Sequence, residues 1–207
     1  MIDLSFIFPT PIGFTDRETT EDYSSLLDLP LKRHPSNLFE QTEDNYVLDS
    51  HCPELKQWLE AEINEYAKLA LCIKQPLKIT QSWLIMHQPG VPQHIYTHRH
   101  PNSIVSGSYY IEADNAANLR FDRNEVSSAP YIEWGTNEED LKDAPWNYAW
   151  QAFPVRKNRL ILFPSQISHG VSGPASEAIR CSLSFNTWFV DSRWGVAEYL
   201  GEVDYNK

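Results

Sequence analysis

Between residues 53 and 74 (PELKQWLEAEINEYAKLALCIK) the apolar positions Leu55, Trp58, Leu59, Ile63, Tyr66, Ala67 and Ala70 recur at steps of three and four. That period predicts an amphipathic helix with one stripe on a core. Pro53 suits a first helical turn, where a missing N–H costs nothing, and Pro76 stops the pattern. From Lys78 the texture changes to short runs broken by Pro, Gly and Asn. These predict strands at 79–87, 94–99, 104–112, 118–121, 148–153, 159–163 and 179–190. Strands at this spacing, with no helical pattern between them, predict an antiparallel sandwich or barrel. The expected fold class is mainly β with flanking helices (α+β).

The ends of the chain are less patterned. A short strand is expected over Leu4–Phe8, stopped by Pro9 and Pro11, and the rest of residues 1–50 reads as an acidic, irregular arm lying over the domain. Residues 122–147 are rich in Asn, Glu, Asp, Trp and Pro, and are longer than most loops. They read as a lid or an insertion, and residues 122–152 supply Tyr131, Trp134, Trp146, Tyr148 and Trp150 as candidate substrate wall. The expected organisation is one domain over 1–207. An arm and supporting helix fill 1–78, the core fills 79–190, and 191–207 is a C-terminal extension.

Composition narrows the class. A chain of 207 residues with 42% hydrophobic residues and seven Trp is long and apolar enough for a buried core. The net charge of −11 argues against a binder that tracks nucleic-acid phosphates, and mildly favours a basic or neutral partner. No apolar run reaches the length of a membrane span, and the first residues lack a basic leader. Cys52, Cys72 and Cys181 form no CxxC pair and read as reduced thiols, which points to a cytoplasmic protein. A homodimer is compatible with the sequence, which does not reveal the oligomeric state.

Four of the seven histidines, His87, His94, His98 and His100, fall within fourteen residues. His98 and His100 form an H-x-H pair. On one strand they would share a face about 6–7 Å apart at Cα, close enough to hold one metal ion. His169 follows the apolar strand Leu160–Phe163, and two ligands from one strand plus one distant histidine is the layout of a facial metal site with open positions. Arg180 stands eleven residues later and shares a strand face with Ser182. An arginine aimed into an apolar barrel calls for an anion, and a dicarboxylate would supply one.

This ordered series resembles the Fe(II)- and 2-oxoglutarate-dependent oxygenases. Its motifs are Gln88-Pro89-Gly90, His98-x-His100, the run SGSYYIE, Asn118-Leu119-Arg120-Phe121, LILFPSQISHGV and RCSLSFNTWF. It is most similar to the prolyl-hydroxylase-like branch and to small bacterial and phage proteins of that family. The resemblance covers about residues 79–190 and implies a double-stranded β-helix (jelly-roll) core. It implies iron(II) on His98 and His169, with His100 where a carboxylate usually stands. It implies 2-oxoglutarate held by Arg180, with Ser182, Tyr110, Gln88 and Leu119 around it. It further implies O2 as co-reactant and C–H oxidation, of hydroxylase type, of a protein side chain or small molecule. No catalytic residue beyond the metal centre is implied. His94 shares the strand parity of the pair and is expected at the pocket mouth or just behind the metal ligands, a low-ranking substrate contact with Trp134, Trp146 and Trp150.

His100 leaves three outcomes. It binds iron, it is displaced, or Glu112 or Asp114 replaces it. Strand parity favours the first. Two other readings compete with the oxygenase. One is a cupin-type three-histidine enzyme without 2-oxoglutarate, for which Arg180 has no use. The other is a catalytically silent binding module on the same barrel.

Overall fold

The computed structural model describes residues 10–35, 38–113, 118–123 and 150–190. In chain order the strands are β1 (Gly13–Asp16), β2 (Leu31–Arg33), β3 (Glu40–Thr42), β4 (Leu77–His87), β5 (Pro92–His98) and β6 (Val105–Glu112). They continue as β7 (Asn118–Asp122), β8 (Trp150–Pro154), β9 (Arg159–Pro164), β10 (Ser168–Ala175) and β11 (Arg180–Phe189). A 3-10 turn covers Ser24–Asp28, and helices α1 (Val47–His51) and α2 (Pro53–Leu71) precede β4.

Two-residue alternation sorts the central strands into layers. Leu84 and Met86 of β4, Tyr109 and Ile111 of β6, Leu160 and Leu162 of β9, and Leu183 and Phe185 of β11 share one core with Leu55, Leu59 and Ile63 of α2. Tyr110, Ile161 and Phe163, one step out of phase, join Leu119, Phe121 and Val171 in a second core between the sheets. The central strands are thus buried on both faces, which explains their nearly unbroken apolar runs. The large sheet has the order β1-β9-β6-β11-β4-β3-β2 and the small one β5-β10-β7-β8. Packed together they form the jelly roll.

Helix α2 starts at Pro53 as expected and ends at Leu71, where Cys72 takes a left-handed conformation with φ 56° and donates its N–H to Ala67 O. No described helix is long and apolar enough to cross a membrane.

Two expectations are corrected. Residues 1–50 are not merely an irregular arm: β1 pairs with β9, and the β2–β3 hairpin extends the large sheet beyond β4. These strands are three or four residues long, and LKR and EQT carry no apolar alternation, so backbone pairing alone makes them strands. Strand β10, between β5 and β7, lies in SHGVSGPA, whose Gly, Ser and Pro hide it from a propensity reading. The expected strand at Leu4–Phe8, most of the 122–147 segment and the 191–207 extension lie outside the described residues.

Candidate active site

Three histidines converge where β5 ends and β10 begins. His98 is the last residue of β5 and pairs in register with His169 of β10. His100 lies past the strand end, so the turn of the chain, rather than a shared strand face, brings it alongside. Its N–H donates to Ser165 O at 3.0 Å. Ring centroids are 4.5 Å apart for His98 and His169 and 5.0 Å for the other two pairs. One ligand nitrogen from each ring lies within 4.8 Å of the others. Among the described residues no acidic group joins them. Glu112, the acidic alternative for His100, pairs with Lys157 instead, and Asp114 lies outside the described residues.

Hydrogen bonds fix the tautomers. His98 Nδ1 lies 2.9 Å from Tyr96 O, and His169 Nδ1 lies 3.1 Å from Ile167 O. A carbonyl only accepts, so each Nδ1 carries a proton, which in the neutral tautomer leaves the lone pair on Nε2. His100 Nε2 is 3.2 Å from His169 Nε2. Burial, then the charges of His169 and His98, hold His100 down to about 3. Burial, then His98, holds His169 down to about 4. Neutral imidazoles with backbone-oriented lone pairs are the form that binds a divalent metal.

A β-bulge shapes this end of the small sheet. Val171 pairs with Ile95 and His169 with His98, so β5 spends three steps where β10 spends two. The bulge flips the parity of β5. His94 therefore pairs with Ser172, packs edge-on against Tyr96, and is not among the cavity-lining residues. It stands behind the rim residue Tyr96 rather than in the cavity lining. Gly170 sits opposite the bulge, where a Cβ would meet Ile95 O at 2.5 Å.

Arg180 opens β11, whose inward row continues with Ser182, Ser184 and Asn186, so the interior is more polar than expected. The Arg180 side chain is 2% exposed, yet no carboxylate pairs with it among the described residues. Its Nη1 donates to His87 Nδ1 at 3.3 Å, and its guanidinium lies 5.2 Å from the Tyr110 ring centre. Arg180 Nε is buried without a hydrogen-bond partner, and Tyr110 Oη, buried beside Arg180 and Ser108, forms no well-aligned bond with either. A buried, unpaired cation is costly, and an anion would relieve it. A cavity of about 400 Å³ joins the three histidines, Arg180, Ser182 and Leu119. The three histidines therefore fit a divalent metal, and Arg180 in the same cavity would hold an anion.

The other expected residues separate. Gln88 is exposed and donates to Glu40 Oε2 at 2.6 Å, away from the cavity; the turn after β4 carries it outward. Trp150 is half exposed at the start of β8, 4.8 Å from the Arg120 guanidinium, and does not line the cavity. Trp134 and Trp146 lie outside the described residues. Sequence reasoning missed Trp83, whose ring is 5.7 Å from His100, and the wall formed by His34, Phe39 and Gln41 of the β2–β3 hairpin. For Trp83 a signal existed, because positions 83, 85 and 87 of that strand share one face. For the hairpin there was none.

The sequence family described as "Putative 2OG-Fe(II) oxygenase" matches residues 81–186, just over half the chain, and the match contains all three histidines and Arg180. The chain belongs to this family. The oxygenase is thus an enzyme that depends on Fe(II), 2-oxoglutarate and O2. The match does not single out the prolyl-hydroxylase-like branch. No curated protein sequence matches the oxygenase. Several solved structures share its fold. HygX from Streptomyces hygroscopicus, solved with nickel, 2-oxoglutarate and hygromycin B, has a TM-score of 0.55 at 12% identity, covering 87% of this chain and 84% of its own. The carbocyclase SnoK from nogalamycin biosynthesis has a TM-score of 0.58 at 12% identity, covering 88% and 81%. A 2OG-Fe(II) oxygenase family oxidoreductase from Burkholderia pseudomallei has a TM-score of 0.52 at 11% identity, covering 78% and 72%.

Proposed function

We propose that His98, His100 and His169 hold the iron(II), and that Arg180, with Ser182 and Tyr110, holds the distal carboxylate of 2-oxoglutarate. The reaction is the hydroxylase-type oxidation of a C–H bond in a small molecule or a protein side chain. The observation that carries this reading is the pairing of two features in one cavity. The Nε2 lone pairs of His98 and His169 are set by backbone carbonyls, and a buried guanidinium has no carboxylate partner among the described residues. When bound, iron and cosubstrate supply O2 activation coupled to decarboxylation.

The chain's own residues do the rest. Phe163 packs against His169 at 4.5 Å, and Leu119 and Val171 line the cavity beside it, so this side of the centre is apolar. His98 is exposed and marks the open side, where Tyr96 and Thr97 form the rim. A volume of about 400 Å³ is at the small end for ligand sites, so cosubstrate plus one group of the substrate fills it. The three free thiols support a reducing, cytoplasmic setting.

The test is succinate formation from 2-oxoglutarate by the Fe(II)-loaded protein. Slow succinate release is expected without added substrate, and its loss is expected in His169→Ala and Arg180→Met. If the metal-loaded wild type neither consumes nor binds 2-oxoglutarate, the reading is wrong and a cosubstrate-free or silent barrel replaces it.

A further inference from the structure

His87 faces Arg180 directly across the β4–β11 ladder. It is 1% exposed and belongs to no role assigned so far. A buried arginine ordinarily pairs with a carboxylate, and a carboxylate here would neutralise it. Both groups flanking this guanidinium are neutral instead, the Tyr110 ring on one side and His87 on the other.

The hydrogen bond fixes the state of the imidazole. Arg180 Nη1 only donates, so His87 Nδ1 must be a bare acceptor and the ring proton must sit on Nε2. That Nε2 is buried without a well-formed hydrogen bond, and the nearby His94 backbone favours its proton. The Phe39 ring, 5.9 Å away, packs on it from the β2–β3 hairpin. Desolvation, then the charge of Arg180, holds His87 down to about 3, so the ring stays neutral beside the cation.

We propose that His87 is the positioning residue for the cosubstrate's distal carboxylate, orienting the Arg180 fork through a neutral acceptor while leaving its full charge to the anion. The proposal rests on the assignment of Arg180 to that carboxylate. It explains why a histidine, and not an acid, occupies the position opposite Arg180. An aspartate would orient the fork equally well but would compete with the ligand.

The test compares two probes on Co(II)-loaded protein by calorimetric titration. 2-Oxoglutarate has the distal carboxylate, and oxalate chelates metal without one. His87→Leu removes the acceptor and should weaken 2-oxoglutarate about tenfold, while oxalate and Co(II) itself bind unchanged. His87→Asn keeps an acceptor near the Nδ1 position and should restore most of the loss. His87→Asp should weaken 2-oxoglutarate beyond His87→Leu, since it occupies the guanidinium. Equal 2-oxoglutarate affinity in wild type and His87→Leu overturns the proposal. So does a parallel loss of oxalate, which would mean general damage to the cavity. Arg180→Met separates the two levels: if it binds 2-oxoglutarate like wild type, the Arg180 assignment has failed rather than the role of His87 alone. Should His87→Asp not fold, the contrast between Leu and Asn decides.

Discussion

His100 and His169 hold their Nε2 atoms 3.2 Å apart, one on the turn after β5 and the other on β10. The proton of His169 is committed to the Ile167 carbonyl through Nδ1, so its Nε2 offers a lone pair. Without metal, His100 satisfies that lone pair by donating from its own Nε2. Were both nitrogens to hold a metal, the His100 proton would have to sit on Nδ1 instead, so metal uptake would be coupled to a tautomer change at His100.

The identity of residue 100 should tune the metal. Three neutral ligands would leave the full charge of the divalent ion uncompensated until a dianion arrives. His100→Asp adds one negative charge at the same position and should tighten Fe(II) or Co(II) at least severalfold in the absence of 2-oxoglutarate. His100→Ala should weaken it about tenfold or more. An unchanged dissociation constant in both variants would remove His100 from the ligand set.

Stability of the metal-free protein should rise with pH over a defined window. His87, His100 and His169 are held down to about 3, 3 and 4 by burial. In the unfolded chain they titrate near about 6.5. Between about pH 4 and 6.5 the unfolded state binds more protons, so stability increases with pH there and levels off above it. Each proton of difference is worth about 1.4 kcal/mol per pH unit, or a few degrees in Tm for a domain of this size. Thermal melts from pH 4.5 to 7.5 check this, and a flat Tm below pH 6.5 would contradict it.

Gly170 should be intolerant of any side chain. A Cβ there would lie 2.5 Å from Ile95 O and 3.2 Å from Thr97 N, both backbone atoms of the bulged strand that ends in His98. Gly170→Ala must push β5 away, costing about 1–3 kcal/mol in overpacking. It should also weaken metal binding, because His98 moves with β5. A variant with wild-type Tm and metal affinity would refute the bulge geometry.

Much of this architecture was legible in the chain, for identifiable reasons. Helix α2 and strands β4, β6, β9 and β11 bury whole faces, so their periodicity survives in sequence. The H-x-H pair, His169 and Arg180 stood out because their chemistry has few other uses in a buried core. What escaped depends on backbone pairing and local irregularity. The polar strands β2 and β3 gave no apolar alternation, β10 hides in a Gly- and Ser-rich run, and the bulge that turns His94 away inserts no telltale residue. His87 escaped because its role depends on a cross-strand register that one strand alone does not encode.

Arg180→Met should separate folding from function. Removing a buried charge that has no carboxylate partner among the described residues should raise, or at least not lower, the Tm of the cosubstrate-free protein. The same change should abolish the Tm increment that 2-oxoglutarate gives the metal-loaded wild type. A large loss of stability without cosubstrate would mean that the guanidinium already has a full set of partners.

The most direct measurement is an anaerobic titration of the Fe(II)-loaded protein with 2-oxoglutarate, followed by the visible charge-transfer absorbance of the chelate. The account predicts a band saturating at one equivalent in wild type. It predicts no band when His98 or His169 is replaced by Ala, and a band only at much higher 2-oxoglutarate in Arg180→Met. A band of wild-type strength and midpoint in the histidine variants, or none in wild type, would contradict it.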